Sequence, residues 1–312
     1  MSSKTKKLTL AQKVSKHKQL IPFVLPAILF ALIFCYLPMA GIVIAFKDNP
    51  NFMRYDVFEA LQRADWTLEH FEMIFSDPEI FRVVRNTLII SVMKIVILFP
   101  LPVVLAVMIT ELRSQKFSKL VQGLVFLPHF FSWVVIVGIF NSLFGLYGPI
   151  NNIVEALGGT PTHFMGEPLW FRWLVVILSG WKEIGYSSIV YIAAIMSIDP
   201  SLYEAAKIDG ASKLKQIWNI TIPSIMPTII VMLIIRIGYL MDAGFEQVYA
   251  MLNANTMSTG DIIGTFVYRK AMGAESNYGL STAVGLINGL ISMGLILGAN
   301  YFSKKKTGSG VW

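Results

Sequence analysis

Six apolar runs, at about residues 21 to 46, 86 to 111, 120 to 144, 170 to 197, 222 to 247 and 281 to 302, divide a chain of 312 residues. Each reaches the roughly 20 helical residues needed to cross the hydrocarbon core of a bilayer. No water is available there to satisfy backbone N–H and C=O groups, so such segments must be helices that pair them internally. The sequence therefore predicts an all-α membrane protein of six transmembrane helices with both ends on one side. Composition agrees: 55% of residues are hydrophobic and only 14% charged, far from the balance of a soluble domain. The first run exceeds the roughly 7 to 15 apolar residues of a signal-peptide core and lacks a small-x-small cleavage site, so it is read as a retained span. Cys35, the only cysteine, follows Phe34, which does not suit lipoprotein cleavage. Alone it makes neither an internal disulfide nor a thiolate metal cluster.

Basic residues orient the bundle. Lys and Arg number 15 over residues 1–20, 111–119, 198–221 and 304–306, and 7 over 47–85, 145–169 and 248–280. By the positive-inside rule the first group is cytoplasmic, which accounts for the net charge of +7 without nucleic acid. The expected organisation is a basic cytoplasmic tail (1–20), a six-span domain (21–302) and a cytoplasmic C-terminal tail (303–312). The spaced apolar residues of the basic tail also suit an anionic inner leaflet. Outside, Leu68, Phe71, Ile74 and Phe75 recur at helical spacing and predict an interfacial helix, broken where Asp77-Pro78 starts another. A further short helix is expected over 261–272. Gly285 with Gly289, and Gly294 with Gly298, form two G-x-x-x-G pairs, a spacing that lets helix backbones approach closely.

Between the fourth and fifth runs stands YEAAKIDGASKLKQIWNITIPSIMP, residues 203–227. Ser201 to Glu204 fits a capping box, and Asp199-Pro200 offers an alternative helix start with proline in the first turn. Gly210 tolerates positive φ and ends that helix, after which Ser212 is placed to cap a second one. In the second, Leu214, Ile217, Trp218 and Thr221 share a face able to dock on the bundle. In the first, Ala205 and Ala206 remove bulk beside Glu204, Lys207 and Asp209. Such a surface suits either the concave face of a partner or plain solvation in an inner loop.

The stretch EAAKIDGASKLKQIWNITIP resembles the E-A-A-x3-G-x9-I-x-L-P signature of permease subunits of binding-protein-dependent ABC importers, with Ile222 where leucine is usual. NTLIIS (86–91), LPHFFSWVV (127–135), WKEIGYSSIVYIAA (181–194), GFEQVY (244–249) and the final GVW resemble the carbohydrate-uptake branch, particularly its polysaccharide and aldouronate members. The resemblance implies a type I, maltose-permease-like fold in the cytoplasmic or inner membrane of a bacterium. It implies a coupling segment over 199–223 that inserts into a separate ATPase, carried by Glu204, Ala205, Ala206, Asp209, Gly210 and Pro223. The implied partners are a second homologous permease, two ATPase subunits and an extracytoplasmic sugar-binding protein, with ATP and Mg on the ATPases and no cofactor in this chain.

No G-x-x-x-x-G-K-[ST], H-E-x-x-H or G-x-S-x-G occurs, and His17, His70, His129 and His163 are scattered, so no catalytic residue and no metal site is assigned. His129 follows Pro128 inside a span, where LPHF suits a bent helix. A secondary transporter or channel would explain the spans but not the docking segment, and a membrane enzyme would need a constellation that is absent. Charges within spans require a partner, water or a task. Arg172, Asp242 and Glu246 fall near outer ends, whereas Lys94, Lys182, Glu183 and Arg236 lie deeper. Three deep cations against one acid suit an acidic, uronate-bearing oligosaccharide. Permanent ion pairs with acids of this chain or its partner are the competing account. Trp181, Tyr186, Tyr239, Phe245 and Tyr249 add the aromatic faces on which sugars commonly rest, so the expected substrate path comprises these five with Lys94, Lys182, Glu183, Arg236 and Glu246.

Overall fold

Proline placement explains where the membrane helices leave α geometry. A proline cannot donate to the carbonyl four residues back and its ring crowds that oxygen. Widening to a π turn is one way out. In the computed structural model, which describes residues 21–48, 50–52, 54–273, 276–308 and 310–311, three spans use it. The basic tail (1–20) and the last residue of the GVW motif lie outside the described residues.

Helix α1, Ile21–Ala31, runs into a π turn at Leu32–Tyr36 and a 3₁₀ stretch at Leu37–Phe46 with Pro38 in its first turn. The short helices α2, Val57–Arg63, and α3, Glu69–Ser76, follow. As expected, Asp77 then caps a new helix, its carboxylate accepting from the Glu79 N–H at 2.7 Å. Helix α4, Pro78–Met93, a π turn at Lys94–Leu98 and helix α5, Pro100–Thr110, make a span of 33 residues. It starts earlier than its apolar run, because Ile80 and Val83 are buried while charged residues occupy the other face.

The third apolar run is not one helix. Helix α6, Gln115–Phe126, gives way to a 3₁₀ turn at Leu127–Phe130 around Pro128, and Ser132 caps α7, Trp133–Phe144. Helix α8, Pro149–Ala156, leads to α9, Pro168–Met196, 29 residues of continuous α-helix. Helix α10, Pro200–Ile208, turns 69° away from it. Helix α11, Lys213–Gln216, a π turn at Ile217–Thr221 and α12, Ile222–Gly238, with Pro223 at its start, form the fifth span. The expected span over 222–247 is thus shifted towards the N-terminus. It stops at Gly238, and the chain then turns through 239–244, where Ala243 and Gly244 adopt φ of +54° and +87°, which no helix accommodates. Helices α13, Phe245–Met251, α14, Met257–Gly260, and α15, Ile263–Met272, precede the last span, α16, Tyr278–Thr307. Among the described residues five stretches are long and apolar enough to cross a membrane, and α9 with α10 makes a bent sixth. Pro26 and Pro227 are held within regular α-helix, so proline permits the wide turns without compelling them.

Three apolar clusters hold the bundle. One surrounds α9 with Ile90, Ile136, Phe171, Leu174 and Val248. A second joins the end of the first span to α3, α4, α15 and α16 through Ala45, Ile74, Val83, Phe266 and Leu280. The third, nearest α10, packs Val103, Ala106, Ile109, Tyr191, Ile192 and Ile225. Of the interfacial-helix residues, Ile74 is buried and Phe71 partly so, while Leu68 and Phe75 are exposed. The G-x-x-x-G glycines of α16 face open space within this chain, since a Cβ at Gly285, Gly289, Gly294 or Gly298 meets nothing within 4 Å.

The close backbone approach occurs elsewhere, at Gly185 of α9, where a Cβ would overlap the Val125 carbonyl of α6. Gly185→Val is expected to lower the stability of the purified chain by about 1–3 kcal/mol, the usual penalty of overpacking. Gly285→Ala should leave it unchanged. Thermal unfolding in detergent compares the two, and equal midpoints would remove the inferred contact.

Candidate functional site

Helix α10 begins at the second of the two candidate starts. The Asp199 carboxylate accepts from the Ser201 N–H at 2.9 Å and Pro200 occupies the first turn. At its other end Gly210 takes φ +74°. The Ala211 N–H donates to the Ala206 carbonyl at 2.8 Å and the Gly210 N–H to that of Lys207 at 3.1 Å, the paired closure of a Schellman cap. Ala206 of the signature, half-buried, is therefore part of the helix stop.

Little of α10 touches its own bundle. Glu204, Ala205, Lys207, Asp209 and Gly210 are exposed, and Ile208 is 87% exposed. Tyr203 fastens the helix through its hydroxyl to the Thr221 hydroxyl at 2.8 Å. Beside it Lys213 pairs with Glu111, at the end of α5, at 2.6 Å. Glu204, Lys207, Tyr203, Lys213 and Glu111 line a cleft of about 360 Å³.

The face expected from Leu214, Ile217, Trp218 and Thr221 docks only in part, with Ile217 half-buried. Leu214 and Trp218 are exposed and Thr221 is buried; Gln216, Thr221 and Ile225 point inward instead. The π turn explains this, since its additional residue converts one helical step into a spacing of five. Pro223, directly beyond it, is exposed.

Deep in the bundle two of the predicted cations serve irregular backbone. Lys94 Nζ donates to the Ala243 carbonyl at 2.9 Å and to Gln247 Oε1 at 2.8 Å. Gln247 in turn accepts from Ser179 and donates to the Val175 carbonyl, each at 2.7 Å. Lys182 Nζ donates to the His129 carbonyl at 2.8 Å and to the Phe131 carbonyl. Both lysines thus satisfy carbonyls released where helices break, which an apolar surrounding requires. Among the described residues neither is paired with an acid. Arg172 similarly holds the Thr259 carbonyl and Asn86.

Glu183 and Arg236 do pair, across α9 and α12, at 2.9 Å. Together with Tyr186 and Tyr239 they line a cavity of about 230 Å³. With Lys94, Tyr239 and Asp242 they also line another of about 240 Å³. Tyr186 stacks on His129 with ring centroids 3.7 Å apart. Trp181 lies edge-on to Phe140, and neither it nor Lys182 lines these cavities. Phe245 and Tyr249 form a separate aromatic group with Tyr268, with Glu246 exposed beside them. His129, Gln247, Ser187 and Tyr268 were absent from the expected path. His129 alone carried a signal, as a polar ring inside a span.

Residues 99–306 match the family described as "Binding-protein-dependent transport system inner membrane component". The polygalacturonan/rhamnogalacturonan transport system permease protein YteP of Bacillus subtilis is 38% identical over 311 residues, covering 99% of this chain and 95% of that protein. Protein LplB of the same organism is 38% identical over 301 residues, covering 96% and 92%. Among solved structures, a chain of a bacterial ABC transporter that imports the acidic polysaccharide alginate superposes with a TM-score of 0.86 at 35% identity, covering 96% of this chain and 99% of that one. A chain from the bacterial alginate transporter in complex with its pentasaccharide-bound periplasmic protein gives 0.85 at 37%, covering 97% and 99%. The broken spans, the long α9 and the outlying α10 accordingly belong to a shared architecture, and the chain is a member of the family of binding-protein-dependent transport inner membrane components.

Proposed function

We propose that this chain is one permease subunit of an ATP-driven importer for oligosaccharides that carry uronate groups. One observation carries the coupling half of that reading: α10 leaves Glu204, Ala205, Lys207 and Asp209 exposed, with Ala206 half-buried, and is stopped by the left-handed Gly210. A helix so exposed, and fixed by Tyr203 and a flanking ion pair, suits the cleft of another protein. The substrate half is supported by relatives named for polygalacturonan/rhamnogalacturonan and alginate transport.

On this reading ATP and Mg²⁺ sit on two partner ATPases, a second permease completes the path, an extracytoplasmic binding protein delivers the sugar, and this chain performs no chemistry. Glu204, Ala205, Ala206, Asp209, Gly210 and Pro223 form the coupling surface. The path runs past Glu183, Arg236, Tyr186 and Tyr239, with Lys94 and Lys182 holding its walls. Both ends are cytoplasmic, as are the basic tail and the segment 199–223. A secondary transporter would leave α10 without a task.

Two measurements test it. Affinity capture of the membrane-embedded chain should bring down an ATPase, and the captured complex should take up an oligogalacturonide in preference to its carboxyl-reduced, neutral counterpart. Capture without an ATPase, or no preference, defeats the corresponding half. For orientation, Ser212→Cys in a Cys35→Ala background should resist a membrane-impermeant thiol reagent in intact cells; labelling there would reverse the topology.

A further inference from the structure

The two cavities share a wall. Leu98, Phe99 and Pro102 line one and Ser91, Lys94 and Ile95 the other, while Glu183, Arg236 and Tyr239 line both. In the second span the first set lies beyond the second, towards Thr110. In α9 Ser187 and Tyr191 of the first cavity lie beyond Glu183, towards α10. The cavities therefore follow one another along the bundle axis, and the Glu183–Arg236 pair stands between them.

The pair is half used. Only Arg236 Nη2 reaches Glu183, through Oε2, whereas a guanidinium offers five N–H donors in a planar fork that fits a carboxylate at two points. Both partners are partly exposed, at 39% and 32%, and both line the two cavities. Each cavity also holds one buried polar atom without a hydrogen-bond partner among the described residues. These are Ser91 Oγ, on a residue 4% exposed, and His129 Nδ1.

We propose that Glu183–Arg236 is a partition displaced by the substrate: a carboxylate of the passing sugar takes Arg236 in a two-point grip, frees Glu183, and joins the two cavities. The inference rests on the acidic-oligosaccharide reading above and adds to it the device that makes acidity a requirement for passage. A neutral sugar has no group able to compete with Glu183 for the guanidinium. Tyr239, common to both cavities, is the flat surface along which the sugar ring moves.

The experiment uses the assembled importer and has two arms. In a Cys35→Ala background, a membrane-impermeant thiol reagent is supplied without sugar from the side that reaches Asp242→Cys. It should label Asp242→Cys and spare Ser187→Cys, and adding Glu183→Gln should open Ser187→Cys to label. In the uptake arm, Glu183→Gln should raise entry of the neutral, carboxyl-reduced oligosaccharide several-fold relative to the acidic one. Arg236→Lys, which keeps the charge and loses the fork, should depress the acidic one selectively. Glu183→Asp, checked for assembly by size exclusion, covers the case in which Glu183→Gln does not assemble, and should give a smaller change in the same direction. Labelling of Ser187→Cys that ignores Glu183 overturns the partition whatever the substrate. A wild-type complex that prefers neutral sugars overturns the substrate reading and the displacement with it, while the labelling arm still reports whether the pair divides the path. Equal losses for both sugars in every assembled variant would make the pair a structural brace only.

Discussion

Gly210→Val is expected to abolish most sugar uptake while the chain still inserts and pairs with its permease partner. The residue holds φ +74° and a Cβ there would meet nothing within 4 Å, so the damage is conformational and not steric. A non-glycine residue in the left-handed region costs about 1–2 kcal/mol, and a β-branched one fits it worst. The cheapest relief is to undo the Ala211-to-Ala206 and Gly210-to-Lys207 closures, which frays α10 and turns the Glu204 surface. Gly210→Asn separates this account from a general intolerance of change, since asparagine visits the left-handed region readily and should retain much of the uptake. Glu204→Lys should uncouple without disturbing the cap. ATPase capture, ATP hydrolysis and uptake are compared across the three variants. Normal uptake by Gly210→Val would sink the coupling role of α10.

Asp261→Ala is expected to be the most destabilising of the single changes considered, by about 3 kcal/mol, the lower end for breaking a buried pair because the surviving Arg269 is partly solvated. Asp261 is fully buried. Its Oδ1 accepts from Thr265 at 2.8 Å and from Arg269 at 3.0 Å, and its Oδ2 from Arg269 at 2.8 Å. Arg269 also reaches Glu79, at the start of α4, at 2.8 Å. Hydrogen bonding to Asp261 holds the guanidinium above its ordinary basicity, the expected sign for a cation gaining an anionic partner. Asp261 thus holds Arg269 in place within α15, and Arg269 in turn ties α15 to Glu79 at the mouth of the second span. The double variant Asp261→Ala/Arg269→Met should recover part of the loss, because the arginine is no longer left facing half its partners. Thermal unfolding of the purified protein measures both, and a single variant as stable as the parent would show that Glu79 suffices.

What was legible in the sequence was local. The spans follow from runs of apolar residues, and α10 follows from Asp199-Pro200, the paired alanines and Gly210, all within one short stretch. The breaks at 127–132 and 239–244 were only half visible. Pro128 announced the first, but the groups that make both tolerable come from far away: Lys182 is more than 50 residues from His129 and Phe131, and Lys94 is 149 from Ala243. Counting charges found three deep cations against one acid and left open whether the excess served an acidic ligand or permanent ion pairs. Two of the three are matched by carbonyl dipoles, which a charge count does not register. Arg236 is the deep cation that meets an acid, and Glu183 could be identified as its partner only once α9 and α12 were placed side by side. The docking face drawn through Leu214 and Trp218 failed for a similar reason, since a 3.6-residue period cannot foresee the residue that a π turn adds.

That turn also shapes how motion leaves α10. One residue more than an α turn holds rotates the helix beyond it by about 100° relative to an uninterrupted run, so Ile217–Thr221 stores angular slack. Pro223 has no N–H to give the Asn219 carbonyl, which keeps the slack from migrating into α12 and leaves it facing the corner at Ser212. Helix α9 has no such reserve over its 29 residues and can pass on a displacement only as tilt. On the proposed coupling role, a push on α10 would reach the bundle along two lines of different compliance, as leaning in the fourth span and as screw-like twist in the fifth, and it is between those two helices that Glu183 and Arg236 pair.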